Sequence, residues 1–171
     1  MKYSQYKYKR INIEEHKKYI NSVINNFKSA TSADQQIELI EEYQEKQKEV
    51  QTFSSIAHLN FARNTKDNKA TEENKFYNDI SPEIAAADNK FTKAINNSKF
   101  KQELFSKFGK HFFDLIEMEI KSFDPKLVSL MKEENKLSNE YKALLAGAEI
   151  QYDSKTLNLA GLSPYMQDTN R

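Results

Sequence analysis

Residues that form turns are scarce along most of this chain. Its 171 residues include three glycines and three prolines, and no glycine precedes Gly109. Because glycine and proline most often interrupt regular structure, the first two thirds of the chain offer few places for a helix to end. Apolar residues recur there at alternating steps of three and four, as on one face of a helix. The sequence therefore predicts a mainly α protein built from long helices.

Polar residues that cap helix N-termini mark the predicted starts of four helices. An Asn or Ser followed three residues later by Glu or Gln forms a capping box, and Pro fits the first helical turn. The first helix is expected to end near Ala30, and the second to continue for about thirty residues. The predicted starts are Asn12 with Glu15, Ser32 with Gln35, Thr71, and Asp124 with Pro125.

Two positions leave the number of helices open. Pro82 falls within the apolar phase of the third helix, where proline removes one hydrogen bond and favours a kink, although Ser81-Pro82-Glu83 also fits a new helix start. Gly109 either ends one helix or lies inside a longer one. The expected fold is an antiparallel bundle of about five to six long helices.

The periodicity changes near the end of the chain. The last long helix is predicted to end near Gly147, after which apolar residues alternate with a period of two around a possible turn at Asp153-Ser154-Lys155. A short β-hairpin is therefore expected. The core-facing positions predicted for the helix are Leu127, Leu130, Leu137, Tyr141 and Leu144, and the strand positions are Ile150, Tyr152, Leu157 and Leu159.

We predict two parts in this chain. Residues 1–148 form a helical domain, and residues 149–171 hold the hairpin and the start of a junction to a further domain. The reason is that Leu162–Met166 begins another element that the last residues barely extend.

Composition excludes several classes of protein. Lys and Arg number 26 against 25 Asp and Glu, so no overall field favours nucleic acid or an anionic membrane. The absence of cysteine excludes disulfides and thiolate metal sites within the chain. No apolar run approaches the roughly 20 residues of a membrane span, and Met1–Tyr6 lacks the apolar core of a signal peptide. The expectation is a soluble cytoplasmic protein.

The residue types that could support chemistry are few and scattered. His16, His58 and His111 fall on different predicted helices, so they could share a metal ion only through tertiary contact, and boundary or surface histidines are favoured. Glu134 falls in the apolar phase of the last helix, where a buried carboxylate would need a partner or a raised pKa, but a position at the edge of the stripe that reaches water is favoured.

Tyrosines and lysines alternate at the start of the chain. Tyr3, Tyr6 and Tyr8 could stack on bases, but the near-neutral charge favours an extended lead-in, with one edge strand and solvated lysines.

Segments spread in order along nearly the whole chain resemble the N-terminal part of oligoendopeptidase F-type zinc metallopeptidases, in the thimet-oligopeptidase-like clan. No single segment is specific, and the order of all of them supports the resemblance. These segments are Tyr8–Glu15, Ile80–Glu83, Ser98–Phe100, Phe108–His111, Glu133–Ser138, Glu140–Tyr141 and Leu159–Gln167.

The resemblance implies a helical domain that forms one wall of a deep peptide channel. It also implies that zinc is held further along the polypeptide by a His-Glu-x-x-His helix and a downstream glutamate. This sequence contains no such motif, so we assign no catalytic, cofactor-binding or metal residue in it. Zinc, short peptide substrates and the catalytic domain are expected in the full-length protein, and this chain alone is expected to be inactive.

A second hypothesis is a self-contained helical interaction or scaffold module without enzymatic activity. A reading frame that continues past Arg171 into a His-Glu-x-x-His motif supports the peptidase, whereas a stop codon there supports the module. Under the peptidase hypothesis, the faces that would meet the missing domain are expected to leave apolar surface near Leu157, Leu159, Leu162 and Tyr165, which could support a homodimer.

Overall fold

The computed structural model describes residues 8–167, most of which are helical. Five long helices and one short helix are present in this range, with a two-stranded antiparallel hairpin near the C-terminal end. The predicted fold class is thus confirmed. The elements are α1 (Ile13–Ser29), α2 (Ala33–Arg63), α3 (Asn68–Asn96), α4 (Lys101–Ser122), a 3-10 turn (Pro125–Leu127), α5 (Val128–Ala146), β1 (Ile150–Tyr152), β2 (Lys155–Leu157) and α6 (Leu159–Met166).

Side-chain caps set the helix starts. Asn12 and Ser32 each accept backbone N–H groups from the turn that follows, as predicted. Asp124, predicted to start the last long helix, instead caps the 3-10 turn, and α5 begins at Val128 without a side-chain cap. The predicted start of α3 at Thr71 is wrong, because Asp67 caps this helix by accepting the backbone N–H groups of residues 69 and 70. The cap therefore adds one turn before Thr71.

α3 is the central helix and contacts α1, α2, α4 and α5. Lys17 pairs with Glu83, and the ring of Phe27 lies edge-on to Phe91 with centroids 5.3 Å apart, so α1 runs parallel to α3. Contacts from α2, α4 and α5 follow the opposite order along α3, so these three helices are antiparallel to it. The bundle encloses two apolar clusters. The larger lies around Ile20, Phe27, Ile40, Phe91 and Leu104, and the smaller around Val50, Ala57, Tyr77, Ile80 and Ile84.

Pro82 lies inside α3 without ending the helix, so the alternative of a new helix start there is wrong. Proline has no N–H group, which leaves the carbonyl of Asn78 without its usual helical donor. That carbonyl accepts hydrogen bonds from Asn135 Nδ2 at 3.0 Å and Ser81 Oγ at 3.3 Å. A side chain of α5 thus satisfies the backbone that Pro82 leaves open.

Gly109 lies inside α4, with φ 81° and ψ 173°. These angles are available to glycine and strained for other residues, so Gly109 kinks a helix that continues on both sides. Gly109 therefore separates two helical segments joined across a kink, and neither a clean helix end nor an uninterrupted longer helix is found there.

The leucine face of α5 is the main error of the sequence prediction. Leu130, Leu137, Tyr141 and Leu144 are exposed rather than buried. α5 instead turns a polar face to α3, where Asn135 contacts Asn78. Periodicity located the apolar stripe correctly, but it did not show that α3 offers α5 a polar surface.

The ends of the described range give mixed outcomes. The hairpin is confirmed, with Ile150 opposite Leu157 and a turn at Asp153 and Ser154. Leu159, predicted in a strand, begins α6 because Asn158 caps that helix. No strand forms in residues 8–12 of the described chain, and Tyr3 and Tyr6 lie outside the described residues.

Candidate functional site

The three histidines do not form a metal site. His16 is buried on α1, His58 contacts Asn74 on α3 at 3.4 Å, and His111 is exposed on α4. Among residues 8–167, no group of three or more His, Cys, Asp or Glu side chains lies where it could hold a metal ion. The described residues therefore do not fit the zinc centre that the resemblance implies.

His16 faces a cavity of about 450 Å³ between α1, α2 and the lead-in segment. Its side chain is 5% exposed, and its Nε2 atom has no hydrogen-bond partner in the described part of the chain. Burial lowers the pKa of His16, and the nearby Lys46 lowers it further, while Glu49 opposes the change. The imidazole is consequently held in its neutral form, as a buried boundary histidine rather than a ligand or a base.

A second polar cluster surrounds Asp88, which the sequence analysis did not identify. Tyr43 donates a hydrogen bond to Asp88, and Gln47 donates to both Asp88 and the Tyr43 hydroxyl at 2.7 Å. Burial raises the pKa of Asp88 to about 6; the hydrogen bond from Tyr43 opposes the rise, and the charge of Glu119 adds to it. The available signal was Gln47, a polar residue in the apolar phase of α2.

The Asp88 cluster borders a cavity of about 480 Å³ that Glu119, Phe123, Leu127 and Met131 also line. Thr92 donates to Glu119 at 3.0 Å. The donors of this cluster therefore go to carboxylates of the protein itself. The arrangement can exchange a proton near neutral pH, but it positions no nucleophile beside a base.

The lead-in segment is fixed to α3 by Glu73. Tyr8 donates a hydrogen bond to this carboxylate at 2.5 Å, and Arg10 makes two further contacts at 2.8 and 3.0 Å. The Arg10 guanidinium holds the pKa of Glu73 below its usual range. Tyr8 is thereby engaged within the protein, which agrees with a structural role for the lead-in.

Glu134 is exposed on the leucine face of α5, so the expectation that it reaches water is confirmed. It lies among Leu130, Leu137 and Tyr141 along a shallow open groove. Nearby, Leu159 is exposed as predicted, whereas Leu157, Leu162 and Tyr165 are half-buried. The Tyr165 ring packs edge-on against Tyr152 with centroids 4.9 Å apart, which accounts for its partial burial.

Within residues 8–167, no helix combines the length and the apolar character that a membrane crossing requires.

Comparison with known proteins gives a consistent family. A family model described as the peptidase M3 N-terminal domain matches residues 3–123. A comparison with curated protein sequences found no match.

Three solved structures share the fold over almost the whole chain. A protein described as an oligoendopeptidase F superposes with a TM-score of 0.93 at 28% identity, over 98% of this chain. One described in the same way from Bacillus anthracis strain Ames gives 0.91 at 31% identity over 96% of this chain, and PZ peptidase A with an inhibitor gives 0.93 at 30% over 98%. In each case this chain spans 30% of the length of the relative.

Proposed function

This chain belongs to the M3 peptidase family as its N-terminal domain, and we propose that it forms a helical wall of the peptide channel in a zinc-dependent oligopeptidase. The observation that supports this proposal is the likeness to oligoendopeptidase F structures over 96% and 98% of the chain at 31% and 28% identity. At that level of identity and coverage, the likeness extends beyond the general class of helical bundles.

The chemistry of hydrolysis belongs, in this proposal, to the part of the polypeptide that the chain does not span. The described residues do not fit a metal centre, and Tyr43 and Gln47 direct their hydrogen bonds to Asp88 within the bundle itself. We therefore assign no catalytic role to residues of this domain, and we propose that the chain alone hydrolyses no peptide. A cytoplasmic location is a further part of the proposal.

The helices suit a wall because they are long and firmly packed. α2 has 31 residues and α3 has 29, which gives lengths of about 46 and 43 Å at 1.5 Å per residue. Both contribute to the core clusters, with Phe91 and Ile40 each 1% exposed. A rigid wall of this length would select substrates by cross-section, admitting flexible peptides and excluding folded proteins.

The channel role can be tested in a polypeptide extended past Arg171 through the catalytic region. Its hydrolysis of a short unstructured peptide is compared with hydrolysis of the same sequence placed inside a stable folded protein. We expect chelator-sensitive cleavage of the free peptide, and cleavage of the folded substrate only after that substrate is unfolded. Equal rates on the free and the folded substrate would refute selection by a channel.

A further inference from the structure

α5 carries a row of apolar side chains that no described residue covers. Leu130, Leu137, Tyr141 and Leu144 are 59%, 57%, 62% and 72% exposed. Together with Glu134 they follow each other at steps of four, three, four and three, the spacing of a helix that packs against another helix. We call this row the α5 seam.

α5 cannot turn the seam inward, because contacts with α3 fix its opposite face. Lys132 forms an ion pair with Glu83, and Asn135 donates to the carbonyl that Pro82 leaves free. One turn further on, Asn74 Nδ2 lies 3.4 Å from Asn139 Oδ1. The seam therefore faces away from the bundle, and only a group from outside the described residues can bury it.

The charges along the seam define what could cover it. Glu134 lies in the middle of the row and Glu133 beside it, and neither forms an ion pair within residues 8–167. On the other flank, Met131, Ser138 and Leu145 carry no charge. Burying Glu134 against an apolar partner would leave a desolvated charge, which is strongly unfavourable. A matching helix must therefore place a lysine or arginine opposite Glu134.

A second copy of this chain matches the seam poorly. In a parallel, in-register pair the two Glu134 side chains would face each other, and in an antiparallel pair that overlaps the whole row each would face Tyr141 of the other copy. Like charges and an unpaired buried carboxylate both oppose that association. The charge pattern thus favours a partner with a different sequence.

We propose that the α5 seam docks one amphipathic helix, contributed by the part of the same polypeptide that follows residue 171, with a basic residue opposite Glu134. The inference rests on the proposed function, in which this chain is 30% of a longer protein, as it is of its solved relatives. The exposed apolar surface also continues from α5 towards the C-terminal elements, where Tyr152 and Leu159 are 48% and 45% exposed.

Hydrogen exchange of the α5 amides tests the proposal in two proteins, the 171-residue chain and the polypeptide extended past Arg171. We expect these amides to exchange at least about tenfold more slowly in the extended polypeptide, because docking suppresses local opening. Leu137→Lys should remove that slowing. Leu115→Lys, at a leucine that is 51% exposed on α4, is the matched control and should retain it.

Charge is tested in the same way. Glu134→Lys should remove the slowing, whereas Glu117→Lys on α4, whose side chain is 52% exposed, should retain it. In the 171-residue chain all four variants should keep the circular dichroism spectrum of the wild type, because every altered side chain is exposed. A loss of slowing in the extended polypeptide then reports docking rather than failure to fold.

Three outcomes would overturn the proposal. Equal α5 exchange in both proteins would show that the rest of the polypeptide does not cover the seam. Retention of the slowing by Glu134→Lys would refute the basic partner. A dimer of the 171-residue chain in sedimentation velocity that Leu137→Lys abolishes would identify a second copy as the occupant. Peptide hydrolysis is measured separately, so an extended polypeptide with slowed α5 exchange and no peptidase activity would refute the proposed function alone.

Discussion

Replacing Asp88 with asparagine should stabilise the protein at alkaline pH. The pKa of this carboxyl rises from its ordinary 3.8 to about 6 in the folded protein, chiefly through burial. A carboxyl group with a raised folded pKa favours the folded state below its unfolded pKa, and it loses that contribution as the pH rises through the folded pKa. Above that range the ionised Asp88 therefore opposes folding.

The magnitude follows from the difference in pKa. A rise from 3.8 to about 6 corresponds to about 3 kcal/mol at about 1.4 kcal/mol per unit. Asp88 is half-buried beside an open cavity, and water there screens part of its charge. We therefore expect Asp88→Asn to raise the free energy of unfolding by about 1–2 kcal/mol at pH 8. At pH 4.5 the gain should fall to about one third, because most folded molecules then carry a protonated Asp88.

Urea denaturation at pH 4.5 and pH 8, followed by circular dichroism at 222 nm, measures both values. Asp114→Asn is the matched control, because Asp114 has a 51% exposed side chain and pairs with Lys110 one helical turn away. The Asp114→Asn variant should lose at most about 0.5 kcal/mol of unfolding free energy at either pH. An Asp88→Asn variant no more stable than the wild type at pH 8, or equally stabilised at both pH values, would refute the role of burial.

Two further predictions concern His16 and Gly109. Burial lowers the pKa of His16 from 6.5, so wild-type stability should be complete above pH 6.5 and decline as the pH falls towards the folded pKa. In urea denaturation, the stability of the His16→Leu variant should decline less between pH 7.5 and pH 5.5 than that of the wild type. An equal decline in the variant and the wild type would contradict this prediction. Gly109→Ala should lose about 1–3 kcal/mol through backbone strain alone, since the added Cβ meets no atom within 4 Å. An unchanged urea midpoint would show that the kink relaxes freely.

The sequence predicted the parts of the fold that local chemistry determines. Capping by Asn12 and Ser32 depends on residues within one turn, and the prediction placed these two helix starts correctly. The predicted start of α3 was wrong because Asp67 caps an earlier turn, in which the small side chain of Ala70 is buried in phase with Asn74 and Tyr77. A local signal was present, but periodicity alone did not reveal it.

The orientation of α5 could not be predicted because it depends on a tertiary contact. Pro82 frees the carbonyl of Asn78, and that carbonyl binds Asn135 on α5. Nothing in the sequence near Asn135 indicates that its partner lies 57 residues earlier. An apolar stripe shows that one face of a helix is suited to burial. It does not show whether the element that packs against this face lies in the same domain.

The candidate sites show the same limit. Proximity along the chain gives no indication of the Asp88 cluster, since Tyr43 lies 45 residues from Asp88. The boundary role expected for His16 depended only on its phase within α1, and its burial is confirmed. Hydrogen bonds between side chains on distant helices can be identified only once the fold is known. Burial of a single residue on one helix, in contrast, can be predicted from its spacing.

Hydrolysis of a quenched fluorescent peptide by the 171-residue chain supplied with zinc tests the central claim most directly. The chain is proposed to be a domain of a peptidase without its chemistry, so no cleavage should occur, while the polypeptide extended past Arg171 should cleave the peptide and lose activity with a chelator. Robust, chelator-sensitive turnover by the 171-residue chain itself would contradict the account.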